Sequence, residues 1–292
     1  MKWPRYFLML PMLFLIFFGC NESTKNNPFE IREDSAEAYF QRGLKIKDPS
    51  KMLVHFKEGI RLGKINNDTI KFYLLDGIIH SFNKLKEYDS SMAYSERMIR
   101  QAGKSENTYF EALGYYRKAT VYRNLNNSEE AFRNYFLSRQ RFLSVGDSIR
   151  AGKRSLEMAN AQARMADYVG SQENATTALR LLSRDKDSAF ISSAYNLIAI
   201  SYSNRGFPKD AIREYKNAMK YSASLEDSLS YLNNIALVMR NEAEYEKALE
   251  TFEEILKNAD HVNENSEARF IDNYAYTRWI QDSTASVIEE LT

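Results

Sequence analysis

Residues 194–219, AYNLIAISYSNRGFPKDAIREYKNAM, decide how the rest of the chain is read. Ala199 and Tyr202 share one helix face at i, i+3 spacing, Gly206 and Pro208 punctuate a turn, and Ala211, Tyr215 and Ala218 share a face of the helix that follows. The three alanines let two helix backbones approach, and the two tyrosines fill the space between them. The stretch is a helical hairpin, either complete in itself or one copy of several.

The pattern recurs. Ala159 lies forty residues before Ala199, and Ala119 forty before that. Ala119 is followed by Tyr122, Ala131, Tyr135 and Ser138 at the offsets of the quoted stretch, and Ala159 more weakly by Gln162, Ser171, Ala175 and Ala178. Farther back come Ile79, with Phe82, Ser91 and Met98, and a degenerate copy at Phe40, with Met52 and Phe56. Ahead, Ala236 leads to Met239, Ala248, Phe252 and Ile255, and Ala275 to Arg278, Val287 and Leu291. A second marker keeps the same register, since each unit opens on a pair of N-cap type: Asp68-Thr69, Asn107-Thr108, Asp147-Ser148, Asp187-Ser188, Asp227-Ser228 and Asn265-Ser266.

Composition agrees with serial helices. No proline lies between Pro49 and Pro208, which suits helices and not a strand-rich fold full of turns. A 292-residue chain that is 44% hydrophobic and 27% charged has the balance of a folded protein, and its net charge of +1 gives no broad footprint for nucleic acid.

The small–aromatic–small–aromatic–small pattern around Ala119, Ala199 and Ala236 resembles the tetratricopeptide repeat, whose period is about 34 residues with two helices per unit. The resemblance covers residues 34–292 and implies an all-α, right-handed α-solenoid of about six and a half helical hairpins, the last unit stopping inside its second helix. The longer period here places extra residues in the second helices or the connections. Stacked hairpins bury each other's apolar faces, so function lies on the surface of the rod and not in a pocket.

Residues 1–19 are a separate object. Lys2 and Arg5 precede a thirteen-residue apolar run from Tyr6 to Phe18, too short to span a bilayer, which takes roughly 20 residues, and read as a cleaved export signal. Gly19-Cys20 at its end, ahead of a polar linker over residues 20–33, resembles the lipobox of bacterial lipoproteins. That resemblance implies that Cys20 carries a lipid and becomes the mature N-terminus, anchored in the cell envelope. Asn21, in place of the aspartate of inner-membrane retention, points to the outer membrane.

In the repeat family the first helix of each hairpin lines the concave face. That implies a groove of Tyr73, Asp76, His80, Asn83 and Lys84, then Tyr116, Arg123, Asn124, Asn160, Arg164, Asn196, Ser203, Asn204, Asn233, Arg240 and Asn241, and finally Asp272, Tyr276 and Trp279. The middle section is rich in asparagine and arginine, with no carboxylate among these residues from Tyr116 to Asn241. Amides pair with both backbone groups of an extended peptide, and arginine clamps a carboxylate, so the partner-binding set is Tyr116, Arg123, Asn124, Asn160, Arg164, Asn196, Asn204, Asn233, Arg240 and Asn241. The same asparagines, Asn196 and Asn233 among them, also suit bonds between neighbouring helices.

Catalysis finds no signature: the chain has three histidines in different units, one cysteine, and no phosphate-cradling glycine loop, nucleophile elbow or zinc-protease motif. Asp76 and His80 stand four apart on one helix, a spacing for metal ligation or for a plain helix-face pair, but the further ligands are missing. The sequence leads to a membrane-tethered scaffold without cofactor or metal that binds a protein or peptide. The alternatives are a sensory input module of a membrane-bound regulator and a capture component of an uptake system.

Overall fold

The structure, a computed structural model, describes residues 35–62, 68–183 and 186–291. Among them thirteen α-helices run in sequence with no strand. They pair as α1 (Ala36–Lys45) with α2 (Pro49–Arg61), α3 (Asp68–Lys84) with α4 (Tyr88–Lys104), and α5 (Thr108–Asn124) with α6 (Ser128–Ser144). The next pairs are α7 (Ser148–Arg164) with α8 (Tyr168–Leu181), α9 (Ser188–Asn204) with α10 (Pro208–Lys220), and α11 (Leu225–Asn241) with α12 (Tyr245–Leu256). The chain ends on α13 (Glu264–Leu291). Each helix packs on the next in sequence, and first helices also meet, α1 with α3, α3 with α5, α7 with α9 and α11 with α13. This is an all-α solenoid of six hairpins and a seventh first helix.

The register positions form its core. Ile79, Ala119, Ala159, Ala199 and Ala236 are all fully buried, as are Ala211, Ala218 and Ala248. Tyr215 packs with Ala199 and Ala211 of its own hairpin and with Ile235 and Val238 of the following one, so one unit's apolar face is covered only by its neighbour. Where serine replaces alanine, Ser138 donates to the Ala112 carbonyl at 2.7 Å and Ser91 to that of Ile79 at 3.2 Å, whereas the buried Ser171 hydroxyl has no partner. In the first seam the Phe56 ring lies where a Cβ on either Gly43 or Gly77 would stand.

Five of the six hairpin turns, all but that between α1 and α2, share one geometry. The residue seven after the reference position is left-handed at Lys86, Asn126, Ala166, Gly206 and Ala243, with φ of 60°, 58°, 58°, 76° and 60°. The next backbone N–H then reaches back five residues: Asn127 to the Tyr122 carbonyl at 2.9 Å, Phe207 to Tyr202 at 3.0 Å and Glu244 to Met239 at 3.0 Å. These are Schellman closures, which satisfy carbonyls that the helix end leaves open.

Two expectations are corrected. Asn107 and Asp147 cap their helices through their side chains, but Asp227 lies inside α11. Ser224 caps that helix instead, accepting from the Asp227 N–H at 3.1 Å while its hydroxyl donates to the Asp227 carboxylate at 2.8 Å. Asn265 likewise lies within α13, and Asn263 accepts from the Ser266 N–H at 3.0 Å. The last unit also forms no turn after Asp282, and α13 continues unbroken to Leu291. Ser283 donates back to the Trp279 carbonyl at 2.8 Å within the helix.

Among the described residues no helix is long and apolar enough to cross a membrane. The export signal, Cys20 and the linker over residues 20–33 lie outside the described residues, as do the side chains of Val287 and Leu291.

Candidate functional site

The first helices form one wall, and from α3 onward polar side chains tie each first helix to the next. Partners lie 39 to 41 residues apart, one repeat length, between α3 and α5, α9 and α11, and α11 and α13, and 34 apart in Arg123–Glu157 and Lys153–Asp187.

Between α3 and α5, Arg117 grips Asp76 with both ends of its fork, Nε to Oδ1 at 2.5 Å and Nη2 to Oδ2 at 2.7 Å. Burial opposes the charge on Arg117, but the Asp76 carboxylate overrides it and holds the pKa above the usual arginine value. His80 stands 3.4 Å from the same guanidinium through Nδ1, and burial together with Arg117 lowers its pKa. Asp76 and His80 thus form a helix-face pair around an arginine. Beside them Asn124 donates to Asn83 at 2.9 Å.

The next seam lies between α5 and α7. Long charged side chains fill it. Arg123 Nη1 lies 3.3 Å from Glu157 Oε2, a carboxylate outside the expected set. The Arg154 guanidinium lies 3.6 Å from the centre of the Tyr116 ring. Tyr135 is buried beneath, its hydroxyl without a partner and its pKa pushed far up by that burial. A small recess here brings together Arg123, Tyr135, Glu157, Asn160 and Arg164, with Asn160 and Arg164 exposed at its rim.

Farther along, the expected residues separate. Asn196 is half-buried, with its carbonyl oxygen shielded and unpartnered. Asn204 is exposed and donates to its own helix at Ile200, 2.9 Å away. Asn233, 2% exposed, faces the neighbouring helix, where it accepts from Asn273 at 2.9 Å. Arg240 lies 5.2 Å over the Tyr276 ring, which stacks on Trp279, and Asn241 is exposed. The ten expected residues are therefore strung along the wall, and only Arg123, Asn160 and Arg164 share a recess.

Sequence reasoning missed Arg117, Arg154 and Glu157. Asp76 and Arg117 carry opposite charges one repeat apart, a signal readable once the period is known. Arg154 offers no such signal, because its contact is the face of an aromatic ring. Among the described residues no group of three or more His, Cys, Asp or Glu side chains could hold a metal.

No protein-family model matches the chain, and no curated protein matches it. Solved structures do. The signal-transduction ATPase with a tetratricopeptide repeat sensor from Pyrococcus horikoshii matches with TM-score 0.67 and 14% identity, over 84% of this chain and 41% of that one. The apo form of the quorum sensor NprR from B. thuringiensis matches with TM-score 0.63 and 15% identity, over 84% and 68% of the two chains. NprR in complex with its cognate peptide NprX matches with TM-score 0.51 and 14% identity, over 85% and 72%. At such identities the likeness is one of fold, and the fold is the tetratricopeptide-like α-solenoid.

Proposed function

We propose that this chain is a membrane-tethered scaffold that captures a peptide or protein segment along the wall of its first helices. The observation that carries the reading is the α5–α7 seam, where Arg123, Asn160 and Arg164 converge on one recess with two of the three at its exposed rim. Amide and guanidinium groups in such an array suit an extended chain, whose backbone offers alternating donors and acceptors. The peptide complex of NprR, a similar solenoid, supports this use of the fold. The chain acts by binding and not by catalysis. Its tether is a lipid on Cys20, which places it in the bacterial cell envelope at the outer membrane.

Two experiments test these parts separately. Asn160→Ala combined with Arg164→Ala is expected to abolish cross-linking of the partner in intact envelopes at unchanged helicity, and undiminished cross-linking overturns the proposed face. Cys20→Ser is expected to release the protein from the membrane fraction, and its retention there overturns the lipid tether.

A further inference from the structure

In a complete hairpin one face of the first helix receives the second, and α9 shows which positions do so. Ser192 donates to the Ala218 carbonyl of α10 at 2.8 Å, Tyr195 stacks on Tyr221 at the end of that helix, and buried Ala199 packs with Ala211 and Tyr215. In α13 the same positions are held by Ala268, Ile271 and Ala275. All three are exposed there, Ile271 by 47%, whereas the other side of the helix is closed by fully buried Phe270 and Thr277. Ala275 stands open at the register position where Ile79, Ala119, Ala159, Ala199 and Ala236 are fully buried. The helices packed on α13 are α11 and α12 of the preceding unit, and among the described residues no helix covers this face. Charge completes the pattern. Glu264, Ile271 and Arg278 follow one another at intervals of seven, a step that returns to the same helix face with a drift of about 20°. Glu264 and Arg278 are exposed, and neither side chain has a hydrogen bond or ion pair among the described residues.

We infer that a second copy of this chain covers the face, the two α13 helices crossing antiparallel at Ile271 about a two-fold axis. A face with an acid one heptad before its centre and a base one heptad after it is complementary to itself when reversed. Glu264 of each copy then meets Arg278 of the partner subunit, so the ion pair forms twice, as an isologous contact requires. The second helix of a hairpin also runs antiparallel to the first, and a two-fold partner brings that same direction to the open side of α13. Ala268 and Ala275 leave room for the approaching backbone, and Ile271 supplies the apolar centre. The inference does not depend on the wall capturing a peptide.

The full chain is tested in intact envelopes and after detergent extraction. Mild oxidation of Ile271→Cys in envelopes is expected to give a disulfide-linked dimer, because position 271 lies on the axis. Arg269→Cys, exposed on another side of α13, is the control, and cross-linking as efficient as that of Ile271→Cys overturns the inference. In sedimentation of the extracted protein the parent is expected to be a dimer, and a monomeric parent overturns the inference whatever other segment or protein covers the face. Arg278→Glu places like charges opposite each other and is expected to weaken self-association by about tenfold or more. Glu264→Arg combined with Arg278→Glu restores opposite charges and is expected to recover most of that loss. A dimer indifferent to Arg278→Glu, or a double variant no tighter than the single one, overturns the antiparallel register. All the substituted side chains are exposed, so circular dichroism is expected to show unchanged helicity. Should Arg278→Glu lose helicity, Glu264→Arg alone makes the same comparison, and undiminished association in it overturns the inference. Dimerisation and partner cross-linking are read separately, so failure of one leaves the other standing.

Discussion

Arg117 on α5 and Asp76 on α3 meet through two hydrogen bonds, 2.5 and 2.7 Å long, across 41 residues of sequence. Both side chains are largely buried, 17% and 18% exposed, so neither can turn to water if the other is lost. Asp76→Ala is expected to lower stability by about 3 kcal/mol, because it strands a buried guanidinium. Asp76→Ala with Arg117→Met is expected to recover most of that loss. Urea unfolding followed by far-UV circular dichroism checks both, and an additive double variant counts against a coupled pair.

His80 gives the pair a dependence on pH. Its pKa in the folded chain lies below the ordinary 6.5, through burial first and the Arg117 charge second. As pH falls through 6.5 the unfolded chain takes up this proton before the folded one does, so the contribution of His80 is fully present above 6.5 and is lost on acidification. The melting temperature is expected to drop between pH 7.5 and pH 5, and His80→Gln to flatten part of that drop. An unchanged slope in His80→Gln refutes the assignment.

The hairpin turns store backbone strain at a countable set of positions. Ala166 and Ala243 hold φ of 58° and 60°, a conformation that costs a residue with a Cβ about 1 kcal/mol. Ala166→Gly is therefore expected to stabilise the chain by less than that amount, because glycine's larger unfolded-state entropy offsets part of the relieved strain. Gly206→Ala is expected to destabilise it by about 1 kcal/mol through backbone alone, since nothing lies within 4 Å of the added Cβ. Thermal unfolding of the two variants should move in opposite directions.

Phe56 makes the first seam intolerant of a single methyl group. A Cβ at Gly77 falls onto the Phe56 ring, so Gly77→Ala is expected to cost about 1–3 kcal/mol. Phe56→Leu opens space there, and combined with Gly77→Ala it should be less harmful than the sum of the two single changes. Additivity in urea unfolding would show that the ring and the glycine do not share the seam.

The hairpins were legible because their packing demands small residues at fixed intervals. Ala119, Ala159, Ala199 and Ala236 mark where backbones approach, and each is fully buried. The caps were less so, because a side chain two or three residues away can take the role, as Ser224 does from Asp227. Asp187 is a third case: its helix starts where expected, but its carboxylate accepts from the Ser183 N–H at 3.2 Å and pairs with Lys153 at 3.2 Å. The wall itself was readable as a list of positions and not as a set of partners. Whether Arg123 is free or held by Glu157, or Asn233 open or spent on Asn273, depends on which turn of the adjacent helix it meets.

The one-repeat spacing of the polar ties carries a mechanical consequence. A tie such as Asn124 to Asn83 works like a stitch in a drawstring on one side of the rod, whose outer side carries no share of that bond. Lengthening or loosening one stitch tilts every unit beyond it by the same angle, so displacement at the far end grows with the number of units between. A segment that competes for a single amide on this wall thereby acts on a lever, and its effect is largest where it makes no contact.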